Sequence, residues 1–232
     1  MKNLFLFALV LFCSAVEAKG VGHGRVNMSK LFKSLDDHYH NQLGLTSELD
    51  VYRATGYITP IFSITTPSKF NAFVSSQNLL AWGQSAQNYE GDTFIGASKF
   101  FTLNNYFALI AGVQAGYSLI SGTKYFQTFD YLDLRIRPLK WLIFHGGPYY
   151  VNQALSTTYS YVGVQTGVEF NFPMYKLNFD YIGGHSNVSG ATATLTNKWS
   201  QYFNSYLGVG VPETKSGNEF YGIIGINFNM DI

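Results

Sequence analysis

The sequence predicts an all-β fold: a transmembrane, antiparallel up-and-down β-barrel of about ten strands, twelve being the alternative, with a short N-terminal helix. Three observations carry this. From about residue 47 onward apolar and polar residues alternate with a period of two. The alternating runs are longer than the ordinary strand of about five or six residues. The polar faces are built from Gly, Asn, Gln, Ser and Thr, and only 12% of the chain is charged. A soluble surface carries about a quarter to a third Lys, Arg, Glu and Asp.

The first 18 residues read as a signal peptide. Lys2 supplies a positive start, Leu4 to Phe12 an apolar centre, and Val16-Glu17-Ala18 a small-residue cleavage site. The apolar stretch is shorter than the roughly 20 residues a spanning helix needs. Cys13 is the only cysteine. Its loss with the signal leaves no thiol for a disulfide, a thiolate metal site or a nucleophile.

Residues 19–46 carry a helical pattern. Ser29 caps it, Leu31, Phe32, Leu35, Tyr39 and Leu43 form its apolar side, and Gly44 stops it. His38 and His40 are two residues apart, a spacing that does not share a helix face, so no metal site is expected. No cofactor is expected either. With 15 basic and 14 acidic residues, the chain has no basic field for nucleic acid.

The barrel domain is assigned to residues 47–232. Val162, Val164, Val168, Phe170 and Phe172 oppose Gly163, Gln165, Gly167, Glu169 and Asn171. Phe107, Leu109, Val113 and Tyr117 oppose Gly112, Gln114, Gly116 and Ser118; Leu132, Leu134 and Ile136 oppose Asp133, Arg135 and Arg137. Turn signals separate ten runs: 47–65, 69–85, 92–103, 106–120, 125–137, 141–152, 157–172, 175–185, 191–211 and 219–231. The run 191–211 also admits a hairpin at Asn197-Lys198. Tight turns at Asn104-Asn105 and Pro173 belong on the periplasmic side of a barrel, which ten strands do not allow and twelve do.

Alternation permits a second architecture, a secreted soluble β-sandwich binding protein. Glycine on the polar faces and aromatics near run ends (Tyr149-Tyr150, Tyr159, Tyr161, Tyr202-Phe203, Tyr206) favour the membrane barrel, whose apolar side meets lipid between two aromatic girdles.

The last ten residues, IIGINFNMDI, place Ile224, Ile226, Phe228, Met230 and Ile232 on one face. This resembles the closing strand of bacterial outer-membrane β-barrel proteins, porin-like ones included, although those chains usually end in Phe. The resemblance implies export to the outer membrane of a Gram-negative cell. It also implies recognition of this strand by the barrel-assembly machinery, contact with membrane lipids, and a lumen for small solutes.

In such a barrel the candidate lumen-lining residues are Arg53, Gln114, Asp133, Arg135, Arg137, His145, Gln165, Glu169, Lys176 and Asp180. A three-residue turn at Pro138 to Lys140 sets Asp133 opposite His145 and Leu134 opposite Phe144. Glu169 and Lys176 become diagonal neighbours across the Pro173 turn. An Asp–His pair raises the alternative of a lipid-modifying acyltransferase or hydrolase. No GxSxG nucleophile motif accompanies it, and an ion-paired, porin-like or structural wall is the better-supported reading.

Overall fold

The computed structural model describes residues 41–52, 55–77, 80–83, 90–120, 123–152, 161–184, 188–214 and 220–232. The signal peptide, the histidines at 38 and 40, Arg53, Tyr159 and residues 185–187 lie outside these residues.

The strands run β1 (Gln42–Val51), β2 (Thr55–Thr65), β3 (Phe70–Gln77), β4 (Leu80–Gly83), β5 (Glu90–Thr102), β6 (Phe107–Ile120) and β7 (Thr123–Leu139). They continue as β8 (Leu142–Val151), β9 (Val162–Asn171), β10 (Tyr175–Gly183), β11 (Gly190–Lys198), β12 (Phe203–Pro212) and β13 (Tyr221–Asp231). All pairings are antiparallel, and outside the β3/β4 region and the β1–β13 seam each joins strands consecutive in the chain. β3 and β4 both lie along β2, one after the other, and make a single interrupted stave. β1 pairs with β2 on one side and with β13 on the other. The sheet therefore closes into a barrel of twelve staves, and the β1–β13 seam pairs backbone edges that lipid could not satisfy.

Twelve staves, rather than ten, arise because two long runs are hairpins. The run 47–65 is divided between β1 and β2, and the run 191–211 between β11 and β12. The second bend comes at Trp199 to Tyr202, just beyond Asn197-Lys198. There the Trp199 and Ser200 amides both donate to the Phe203 carbonyl, each at 3.1 Å. Ser200 Oγ accepts from the Tyr202 and Phe203 amides. The alternation passes unbroken through such a bend, so periodicity alone cannot mark it. At the N-terminal side, β1 begins at Gln42, so Leu43 and Gly44 are strand residues and not the end of a helix. Pairing on both edges overrides their helical spacing.

The count also settles the turns. Strand direction alternates, so the β2–β3, β5–β6, β7–β8, β9–β10 and β11–β12 turns share one end of the barrel with both described chain ends. These turns are tight. Leu139 pairs with Leu142 around a two-residue turn. Asn104 Oδ1 accepts from the amides of Tyr106 and Phe107 at 2.8 and 3.0 Å. Lys69 adopts a positive φ of 61°, the left-handed conformation that lets the β2–β3 turn reverse.

The two faces of the wall follow the pleat. Outside stand Leu45, Phe62, Ile95, Val113, Leu134, Val164, Phe179, Leu207 and Ile224, all well exposed. Aromatic rings gather outside at both ends. At the turn end Trp141 stacks on Phe170 and Phe172, and Phe203 on Phe228. At the loop end Tyr117 meets Phe126, and Tyr150 meets Tyr161. Two girdles flanking an apolar band are the mark of a barrel that crosses a membrane. No helix among the described residues is long and apolar enough to cross one.

Not every terminal aromatic joins a girdle. Tyr149 and Tyr206 point inward and are buried. They belong to an interior aromatic set with Phe73, Phe94, Phe129, Tyr131 and Tyr221. Five of these rings face a glycine in direct register: Phe73 and Gly96, Tyr131 and Gly112, Tyr149 and Gly163, Tyr206 and Gly225, Tyr221 and Gly210. A Cβ at any of the five glycines would collide with its ring. The interior glycines are the floor on which the rings lie.

Candidate functional site

Four adjacent strands, β7 to β10, project six ionisable side chains from the inner face: Asp133 and Arg135, His145, Glu169, and Lys176 and Asp180. They form one continuous chain of alternating charge. Arg135 is its centre. Its Nε donates to Asp133 Oδ2 at 3.2 Å, and its Nη2 stands 2.7 Å from Glu169 Oε1. Lys176 Nζ approaches the other Glu169 oxygen at 3.6 Å. His145 Nδ1 lies 3.2 Å from Asp133 Oδ1, and Nε2 lies 3.0 Å from Asp180 Oδ1. An imidazolium, with a proton on each nitrogen, suits two carboxylate neighbours.

The arrangement depends on local backbone choices. The β7–β8 register places Arg135, not Asp133, opposite His145, and Ile136, not Leu134, opposite Phe144. The turn is Lys140-Trp141, shorter than a turn from Pro138, and the register shifts between Ile136 and Leu139. A slip of two residues keeps every side chain on its face, so Asp133 still reaches His145, now diagonally. Glu169 and Lys176 are diagonal neighbours, since Lys176 pairs with Asn171 and Glu169 with Asn178.

Gly167 is the second device. It stands in register between His145 on β8 and Asp180 on β10. A Cβ there would collide with the imidazole and come within 2.7 Å of Asp180 Oδ1. The ion pair therefore passes over an intervening strand, which only a residue without a side chain allows.

Burial is graded along the chain of charges. Both side chains of the Arg135–Asp133 pair are fully buried, whereas Lys176 and Asp180 at its two ends are each 14% exposed. Charges this deep are costly unless paired, and every charged group of the ladder has an opposite partner.

Of the other candidates, Gln114 is buried on the inner face of β6. Gln165 is buried on β9, with Nε2 3.5 Å from the Leu132 carbonyl. That carbonyl faces a gap in the β7–β8 ladder next to Pro148, which has no N–H to offer. Arg137 sits at the turn end, and its Nη2 donates to the Asn105 carbonyl at 2.9 Å, outside the ladder. Sequence reasoning missed Glu48, Asp50 and Asp92, three more buried carboxylates. Glu48 and Asp50 alternate with Leu49 and Val51, the available signal, which reading 47–65 as one strand obscured.

An apolar exterior with aromatic girdles, a closed antiparallel wall and a charged, glycine-floored interior define the class: a membrane-spanning antiparallel β-barrel of porin-like fold. No protein-family model matches the chain, and no curated protein does. Solved structures do match. The KdgM porin in complex with disordered oligogalacturonate superposes with a TM-score of 0.57 at 16% identity, over 81% of this chain and 98% of that one. The KdgM porin in a second structure gives 0.59 at 14% identity, over 80% and 98%. The NanC porin gives 0.56 at 12% identity, over 80% and 98%. At these identities the likeness establishes a shared barrel fold.

Proposed function

We propose that this chain is a channel of the outer membrane that passes small polar solutes, with the ladder from Asp180 to Lys176 as the polar wall they meet. The observation that carries this is the graded burial of the ladder. Its inner groups cross-brace four strands, and its two ends, Asp180 and Lys176, carry opposite charge and keep access to the interior. A wall of this kind offers hydrogen bonds and charge of both signs without collapsing. Gln114, Gln165 and Arg137 are assigned to the same wall.

The reading extends to placement and partners. Residues 1–18 are a cleaved export signal, lipids surround the apolar band, and the barrel-assembly machinery reads the β13 pattern ending in Met230 and Ile232. KdgM has been seen with oligogalacturonate, and sugar-sized polar molecules suit this chain as solutes. An acyltransferase or hydrolase is disfavoured by the histidine itself. Both ring nitrogens of His145 are engaged by carboxylates, so neither is placed to activate a hydroxyl.

Conductance in a planar bilayer tests the proposal. Discrete steps from purified, heat-modifiable protein are expected. A correctly inserted barrel that never conducts would remove the channel and leave a structural barrel.

A further inference from the structure

We propose that the His145–Asp180 clasp over Gly167 sets the charge selectivity of the lumen and changes it with pH. The inference rests on the channel reading above and names the group within that wall that decides which ions pass.

Five charged groups face or adjoin His145 within the ladder: Asp133 and Arg135 on β7, Glu169 on β9, and Lys176 and Asp180 on β10. With a protonated imidazole the six groups carry three positive and three negative charges. Histidine is the one side chain among these types whose ordinary titration falls between about pH 5 and 8. Carboxylates, lysine and arginine hold their charge through most of that range. Loss of the imidazole proton leaves the ladder with a net negative charge.

Geometry decides where that charge is felt. Asp133 keeps Arg135 Nε at 3.2 Å, and Glu169 keeps both Arg135 and Lys176. Asp180 depends on His145 in this ladder, and it is also the more exposed of the two carboxylates that flank the ring. The Asp180 side chain stays 14% exposed on the inner face, whereas Asp133 is fully buried. Deprotonation thus turns a charge-balanced ladder into one that attracts cations at Asp180. The sign is fixed: cation preference rises as pH rises.

The test is the reversal potential of the inserted full-length protein under a potassium chloride gradient, from about pH 5.5 to about pH 9.5. The wild type is expected to shift toward potassium with rising pH. His145→Gln should sit at the potassium-preferring value throughout. Asp180→Asn should shift toward chloride at the high end. A flat wild-type profile, or a His145→Gln profile that follows the wild type, overturns the clasp and leaves the channel standing. A protein that never conducts overturns the channel reading, and the clasp with it. If His145→Gln does not insert, Asp180→Asn decides: a high-pH potential equal to that of the wild type rejects the proposal.

Discussion

Tyr131 occupies the space that a side chain at Gly112 would need: the two residues are direct partners across β6 and β7, and a Cβ on the glycine would collide with the phenol ring. The pair links an unremarkable glycine in an alternating strand to the packing of the barrel interior. Gly222 stands in contrast. A Cβ there meets only the Val51 carbonyl oxygen, at 3.9 Å.

Gly112→Val should therefore destabilise the barrel by about 1–3 kcal/mol, the usual cost of overpacking. Gly222→Ala should be close to neutral. Urea unfolding of the protein in lipid measures both. Adding Tyr131→Ala to Gly112→Val should recover part of the loss, because the collision is between these two positions.

Arg135 holds Asp133 and Glu169 in a fully buried setting. Arg135→Met leaves two carboxylates without their central partner and should cost about 3–5 kcal/mol. Arg135→Lys should recover little, since an ammonium lacks the fork that spans both acids. Unfolding midpoints of the two variants decide: equal stability to wild type would show that the ladder is not holding these strands together.

Leu134 is 40% exposed and points outward from β7, five residues from Leu139 at the turn end. Leu134→Arg places a guanidinium near the centre of the hydrocarbon band and should cost about 2–4 kcal/mol, whereas Leu139→Arg near the interface should cost about 0–1. Folding yield into vesicles reads the difference. Equal tolerance at both positions would mean that the apolar band is not where the girdles place it.

β13 is held from both sides, with Phe228 opposite Leu45 on β1 and opposite Phe203 on β12. Gln42 Nε2 also donates to Asp231 Oδ1 at 2.9 Å. Deleting residues 228–232 opens that seam and should abolish the compact species whose mobility changes on boiling. Asn227→Ser with Asn229→Ser should be mild, since the outward apolar pattern is kept. A truncated chain giving the compact species at normal yield would exclude closure at this end.

The alternation of Val164 and Gln165, or of Leu134 and Arg135, was enough by itself to assign each side chain to a face, because the pleat has a period of two and lipid tolerates little polarity. The ion-paired interior was legible for the same reason: Asp133, Arg135, Glu169, Lys176 and Asp180 all fall on the polar side of their runs. Only the tertiary structure decided where the chain turns back at Trp199 to Tyr202, because alternation continues through a hairpin. It alone set the β7–β8 register, since a slip of two residues leaves every face unchanged. It alone sent Tyr149 and Tyr206 inward, onto glycines of neighbouring strands. The same limit governs the site. His145 and Asp180 lie 35 residues apart on strands separated by a third, and their contact exists only because closure and register bring Gly167, with no side chain, between them. Contacts across strands are fixed by hydrogen-bond register, which a local pattern does not encode.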